Sequence, residues 1–275
     1  MIPFRRAIIL TACLLSVCLP AVHAQEDTLA GMRRFIHVCN SYKQLPLSMD
    51  VVIERRTNLV TSRGDSSQLA AVFDLRGDGS YIYLDGTEQL ANDSLLLFVN
   101  KTTKRMILYA NRQSVADQYR AYMGLRLADS SLRKMAGVYQ ASAPVIFRDT
   151  AVIGMRSRAD LPGTILPREE IQVRFNLNTD QPYDVMELRR SLVPVSQEMY
   201  VKAAALPEWS GKTIASGDSL FFLVKEQTTT FRYEHISHDP EVKLPFRMSD
   251  RIAAKLPGKY GPATGFTDYV LTQEF

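Results

Sequence analysis

Cysteine is almost missing from this chain. Of three cysteines in 275 residues, Cys13 and Cys18 lie inside an N-terminal apolar run, which leaves Cys39 alone. A single thiol closes no intramolecular disulfide, so a small stapled scaffold is excluded and an apolar core must hold the fold. Long apolar runs are missing too. After Leu19 no stretch approaches the roughly 20 apolar residues that a membrane-spanning helix needs. Charge of one sign is not in excess, with 33 Lys and Arg against 29 Asp and Glu. Nucleic-acid binding calls for a concentrated basic face, and this mixture supplies none. No linker rich in Pro, Gly or Ser divides the chain. His-Glu-x-x-His, a glycine-rich phosphate loop and Gly-x-Ser-x-Gly are all absent, which removes the usual signatures of a zinc peptidase, a nucleotide site and an α/β-hydrolase. No cofactor is expected.

What is present begins at the N-terminus. Arg5 and Arg6 precede the apolar run Ala7–Leu19, Pro20 ends it, and Val22-His23-Ala24 offers short side chains before Gln25. This is the pattern of a cleaved export signal over residues 1–24, followed by one domain over residues 25–275. The alternative is lipidation at Cys13, since Leu10-Thr11-Ala12-Cys13 resembles a lipoprotein box; against it, the apolar run continues past Cys13. Removing Arg5 and Arg6 with the signal brings the net charge from +4 to about +2. The expected location is the periplasm or cell envelope.

Thr28 is placed to cap a helix whose Leu29, Met32, Phe35, Ile36 and Cys39 recur at helical spacing. After Pro46 the period becomes two: Met49, Val51 and Ile53 alternate with polar residues. The segment Gln68–Tyr109 then reads as a meander. Leu69–Leu75, Tyr81–Leu84, Thr87–Leu90, Leu95–Val99 and Met106–Tyr109 are separated by Asp78-Gly79, Asp85-Gly86, Asn92-Asp93 and a polar turn at Asn100–Lys104. Asp-Gly between apolar runs predicts a tight hairpin with positive φ at both turn residues. Leu95–Val99 does not alternate, so both of its faces are expected to be covered. Helices capped by Ser114 (carrying Val115, Tyr119, Tyr122 and Met123) and by Ser130 (carrying Leu132, Met135 and Tyr139) are the natural cover. Further strands are predicted from Val145, over Ile171–Leu177 and over Val185–Leu188. A hairpin of Leu220–Val224 with Thr228–Ile236, a short helix at Ser249–Lys255 and a last strand at Tyr269–Leu271 complete the reading.

Several apparent motifs reduce to turns. Gly217-Asp218-Ser219-Leu220 spells a lipase signature, yet it stands late in the chain and no Asp-x-x-His accompanies it. A serine without a positioned base is a weak nucleophile. Asn92-Asp93-Ser94-Leu95 and Gly64-Asp65-Ser66 also precede strands, so all three suit a turn leading into a strand. Arg63-Gly64-Asp65 and Arg76-Gly77-Asp78 are adhesion tripeptides by spelling only. His235 and His238 with Asp239 lack the further ligands that a zinc site requires.

One amphipathic helix, a long hairpin meander over Met49–Tyr109, a later hairpin over Ile171–Leu188 and a cover of short helices resemble the periplasmic outer-membrane lipoprotein carriers, the LolA/LolB-like superfamily. The resemblance lies in element order. It implies an α+β fold, mainly antiparallel, whose sheet forms a curved, incomplete barrel beneath short helices, with an acyl chain or a lipidated protein as partner. The residues expected to line such a cleft are Phe73, Tyr81, Tyr83, Leu96, Phe98, Ile107 and Tyr109. The same side chains suit a filled core equally well, and strand parity alone leaves their faces open. The rival readings are an envelope accessory protein acting through protein contacts and a hydrolase with a scattered site.

Overall fold

A computed structural model describes residues 29–41, 44–111, 129–217, 219–241 and 243–275. The expected export signal, Cys13, Cys18, Thr28 and the helix expected from Ser114 lie outside the described residues.

Helix α1 covers residues 29–41. The meander follows: β1 (Leu47–Thr57), β2 (Ser67–Leu75), β3 (Gly79–Leu84), β4 (Thr87–Asn92), β5 (Leu95–Asn100) and β6 (Arg105–Ala110). Helix α2 (Asp129–Val138) leads to β7 (Tyr139–Ala141), β8 (Val145–Phe147), β9 (Thr150–Ser157), β10 (Glu169–Asn176) and β11 (Pro182–Val195). Helix α3 (Gln197–Ala204) precedes β12 (Thr213–Ser216) and β13 (Leu220–Ser237). The small hairpin β14 (Ile252–Leu256) with β15 (Lys259–Pro262) and the last strand β16 (Val270–Glu274) end the chain. The main sheet has 14 strands, in the path β16-β6-β5-β4-β3-β2-β1-β13-β11-β10-β9-β7, with β12 on β13 and β8 on β9. It does not close, since β16 and β7 are separate ends. Every strand is twisted, and a sheet this wide curls rather than staying flat. The fold class is therefore α+β, with an open, mainly antiparallel sheet carrying helices.

Tight turns set the meander. At Asp85-Gly86 both residues have positive φ, 48° and 76°, the geometry that matches strand twist in a two-residue hairpin. Asp78-Gly79 differs from expectation. There Gly77 and Asp78 form the tip, the Arg76 amide donates to the Gly79 carbonyl at 2.8 Å, and Gly79 already belongs to β3. Neither Asp78 nor Gly79 needs the left-handed region.

Four other expectations are corrected. Leu220–Val224 and Thr228–Ile236 form one 18-residue strand rather than a hairpin. The polar Lys225-Glu226-Gln227 between them mimics a turn, yet Glu226 stands directly opposite Arg190 of β11 and bonds its Nε at 2.8 Å. Opposite charges in cross-strand register stabilise a strand. Likewise, the strand seen at Val185–Leu188 runs over all of Pro182–Val195. Ser249–Lys255 is no helix: a single 3₁₀ turn, Met248–Asp250, leads into β14. Finally, β16 lies parallel to β6, covering what the meander leaves as an edge. Tyr139, expected on α2, begins β7.

The helices seal one end of the sheet. Met32, Phe35 and Val38 of α1 with Leu132 and Ala136 of α2 pack on Ala151, Ile153, Met155, Val173 and Phe175. Cys39 is in no disulfide and packs, partly buried, against this cluster. The β10–β11 turn clamps α1: Asp180 receives Arg34 Nη1 at 2.8 Å, Arg34 Nη2 at 2.5 Å and His37 Nε2 at 2.9 Å, while its carbonyl takes Ser41 Oγ at 2.9 Å.

Candidate functional site

Directly opposed residues in a sheet point to the same face, and neighbours along a strand to opposite faces. Register therefore sorts the expected lining residues. One row runs Met49, Phe73, Ile82, Gln89, Phe98 and Ile107 across β1–β6. The same face carries Val51 and Ile53 into Tyr233 and Phe231 of β13, then Val185, Val173 and Ile153. The last three belong to the cluster that α1 and α2 cover, so this is the helical face. The opposite rows run Val72, Tyr83, Glu88, Val99 and Met106, and Asp74, Tyr81, Leu90, Leu97 and Leu108.

The structure thus divides the seven residues. Phe73, Leu96, Phe98, Ile107 and Tyr109 share the helical face. Tyr81 and Tyr83 point the other way, where residues 244–271 cover the sheet: Leu244, Met248, Ile252, Tyr260, Phe266 and Leu271 pack against Tyr81, Leu90, Leu97, Val99, Met106 and Leu108. A period of two forces this split, because Tyr81 and Tyr83 oppose Asp74 and Val72 rather than Phe73. Ile82 is the lining residue that the sequence reading passed over, and its position between the two tyrosines is the signal that gives it away.

The covered face is locked by a buried charge. Glu88 is wholly buried, and its carboxylate accepts Arg251 Nε at 2.8 Å, Arg251 Nη2 at 3.1 Å, Lys101 Nζ at 2.9 Å and the Tyr81 hydroxyl at 3.2 Å. The Arg251 guanidinium lies 4.1 Å from the Phe246 ring centre and 4.8 Å from that of Phe266, within cation–π range. Burial pushes the Glu88 carboxyl up, but hydrogen bonds from Arg251 and Lys101 outweigh it and hold the pKa below the ordinary value. Burial, reinforced by Glu88, raises the Tyr81 hydroxyl. No signal in the sequence marks this lock, whose two halves stand 163 residues apart.

The helical face over β2–β6 differs. Leu97, Val99, Met106 and Leu108 are fully buried on one side, whereas Leu96, Phe98, Ile107 and Tyr109 on the other are only half-buried. Phe73 and Ile82 are half-buried as well and extend the patch toward the centre of the sheet. The Phe98 and Tyr109 rings meet edge to face at 6.1 Å. At the rim, burial and then the neighbouring Glu274 raise the Tyr109 hydroxyl. Polar groups on this patch are few, with Gln89 on its central row.

The motifs fall where turns are needed. Ser219 is exposed just before β13, behind Gly217 at φ 64°. The described histidines serve other partners: His37 bonds Asp180, His235 bonds Asp50 Oδ2 at 2.9 Å, and His238 bonds the carbonyls of Gln44 and Pro46. Arg63–Asp65 is a 3₁₀ turn whose Asp65 is buried among Thr61, Ser62 and Lys225. No group of three or more metal-ligating side chains occurs among the described residues. None of the described helices is long and apolar enough to cross a membrane.

No protein-family model and no curated protein sequence matches the chain. The chain is similar to a number of solved structures, including the following two. One is a domain named for outer membrane lipoprotein sorting, from Vibrio parahaemolyticus, with 11% identity over 80% of this chain and 95% of that one, at a TM-score of 0.27. The other is a LolA superfamily protein from Nitrosomonas europaea, with 11% identity over the same shares and a TM-score of 0.24.

Proposed function

We propose that the patch formed by Phe73, Ile82, Leu96, Phe98, Ile107 and Tyr109 binds a hydrocarbon tail, as a free acyl chain or as the lipid of a lipidated protein. The observation that carries this reading is the asymmetry of the β2–β6 sheet: one apolar face is buried beneath the C-terminal segment, and on the other these six described side chains are only half-buried. Each methylene removed from water contributes roughly 0.8 kcal/mol. About ten covered methylenes would supply roughly 8 kcal/mol, the scale of micromolar affinity before ordering costs. Such binding needs neither a nucleophile nor a base, so we read the protein as a non-enzymatic carrier. We place it in the periplasm or envelope, exported by a signal cleaved after Ala24, with residues 25–275 as one domain. Native mass spectrometry of the purified mature protein tests this: a retained lipid that is lost in Phe98→Asp is expected, and a bare wild-type protein in every preparation would contradict it.

A second reading, docking of another envelope protein, has one observation in its favour. On the edge strand β8, Val145, Ile146 and Phe147 are 54%, 57% and 66% exposed, a run of apolar surface in an edge position. In the same mass spectra, a co-purifying protein without lipid, released by Phe147→Asp, would favour this reading instead.

A further inference from the structure

The C-terminal segment does not lie flat on the sheet everywhere. Between the Arg76–Gly79 turn and residues 240–249 it leaves a cavity of about 670 Å³. Arg76 forms part of its wall and is only 9% exposed. Its Nη1 donates to the carbonyls of Asp239 at 3.1 Å and Pro240 at 3.4 Å. Its Nε and Nη2 are buried and have no hydrogen-bond partner. A guanidinium does not give up its proton in a protein, so it cannot escape this deficit by becoming neutral. Unpartnered buried donors are rare in folded proteins and call for an explanation.

The surroundings favour negative charge. Among the described lining residues Arg76, Lys243 and Arg247 are cationic, and Asp78 is the one carboxylate. Of the other acids of the segment, Asp250 Oδ2 accepts the Arg247 amide at 2.7 Å and Asp239 Oδ1 accepts the Glu241 amide at 2.9 Å, while the Glu241 side chain is exposed and is not part of the cavity wall. Leu90, Leu244 and Phe246 give the same cavity an apolar side. Gly79 keeps the wall thin, since a Cβ there would stand 3.2 Å from Leu244 Cδ1 and 3.3 Å from the Ala91 carbonyl.

We propose that this cavity binds an organic anion: a carboxylate or phosphate group, taken by the fork of Arg76, on a short apolar stem that rests against Leu244 and Phe246. Planar guanidinium donors match both anions, often with two parallel bonds. Lys243 and Arg247, exposed at the mouth, attract the ligand and add salt-dependent affinity. The site lies on the sheet face opposite the hydrocarbon patch and does not depend on it. The anion is either a small solute or a lipid headgroup, and the assay separates the two.

Calorimetric titration of the mature protein with phenyl phosphate and benzoate, with benzyl alcohol as the neutral control, tests the small solute. Sedimentation with phosphatidylcholine vesicles containing phosphatidylglycerol tests the headgroup. At least one anionic probe is expected to bind, benzyl alcohol at least tenfold more weakly. Arg76→Met should weaken anion binding at least tenfold, and its thermal midpoint reports separately the loss of the Nη1 bonds to the Asp239 and Pro240 carbonyls. Lys243→Ser with Arg247→Ser, both at exposed positions, should weaken binding several-fold and flatten its salt dependence. Phe98→Asp should change none of this. Absence of binding by every anionic probe, or undiminished affinity in Arg76→Met, would overturn the proposal. If Arg76→Met does not fold, undiminished affinity and salt dependence in the double variant would overturn it.

Discussion

Glu88 shows how much one residue can organise. It is the single acid of the strand Thr-Glu-Gln-Leu-Ala-Asn, and it fastens a segment that returns to the sheet 163 residues later. Removing one partner of a buried ion pair typically costs about 3–5 kcal/mol, because the other charge stays behind without water. Glu88→Gln should therefore lower the stability measured by urea unfolding by about that much near neutral pH. The sign of the pH dependence follows from the depressed pKa. The folded-state carboxyl titrates below its ordinary 4.5, so its contribution is complete above that range and is lost as the pH falls through the folded value. The gap between wild type and Glu88→Gln should shrink in acid, and a gap that stays constant down to pH 3 would contradict the lock.

At the scale of elements, what the sequence reveals depends on how local the cause is. The β2–β6 hairpins are legible because each has its own turn chemistry, and Asp85-Gly86 takes the positive φ values that its spelling demands. Strand β13 is not, because Lys225-Glu226-Gln227 looks like a turn until Arg190 is set opposite it. The parallel seat of β16 beside β6 and the hairpin β14–β15 depend on a chain return that no short pattern encodes. The candidate patch was half legible for the same reason. Composition picks out its aromatic and aliphatic residues, but only register separates Phe73 and Phe98 from Tyr81 and Tyr83.

Helix α1 is legible in its apolar stripe, yet not in how closely it approaches the sheet. At Gly31 a Cβ would stand 3.0 Å from Ala141 Cβ and 3.1 Å from the Ser142 carbonyl, so a side chain there must push the end of β7 or α1 aside by a few tenths of an ångström. Overpacking of this kind typically costs about 1–3 kcal/mol. Gly31→Val should lower stability by that amount in thermal or urea unfolding and loosen α1. Faster amide exchange across residues 29–41 would show the loosening. A variant as stable as wild type would mean that the helix can stand further off.

For the whole molecule, the main feature is a single sheet with two different coverings. Helices close one face over β9–β11, the C-terminal segment closes the opposite face over β3–β6, and among the described residues Phe73, Ile82, Leu96, Phe98, Ile107 and Tyr109 on the helical face of β2–β6 are only half-buried. The two covers bury the apolar core with no disulfide among the described residues, while the uneven closure provides the proposed hydrocarbon seat. Titration of a fluorescent acyl probe, dansylaminoundecanoic acid, into wild type, Phe98→Asp and Leu97→Ala tests this most directly. The two positions adjoin in sequence and face opposite ways. Saturable binding that Phe98→Asp weakens at least tenfold, and that Leu97→Ala preserves despite its lower stability, is the predicted result. No saturable binding by wild type, or equal binding by Phe98→Asp, would contradict it.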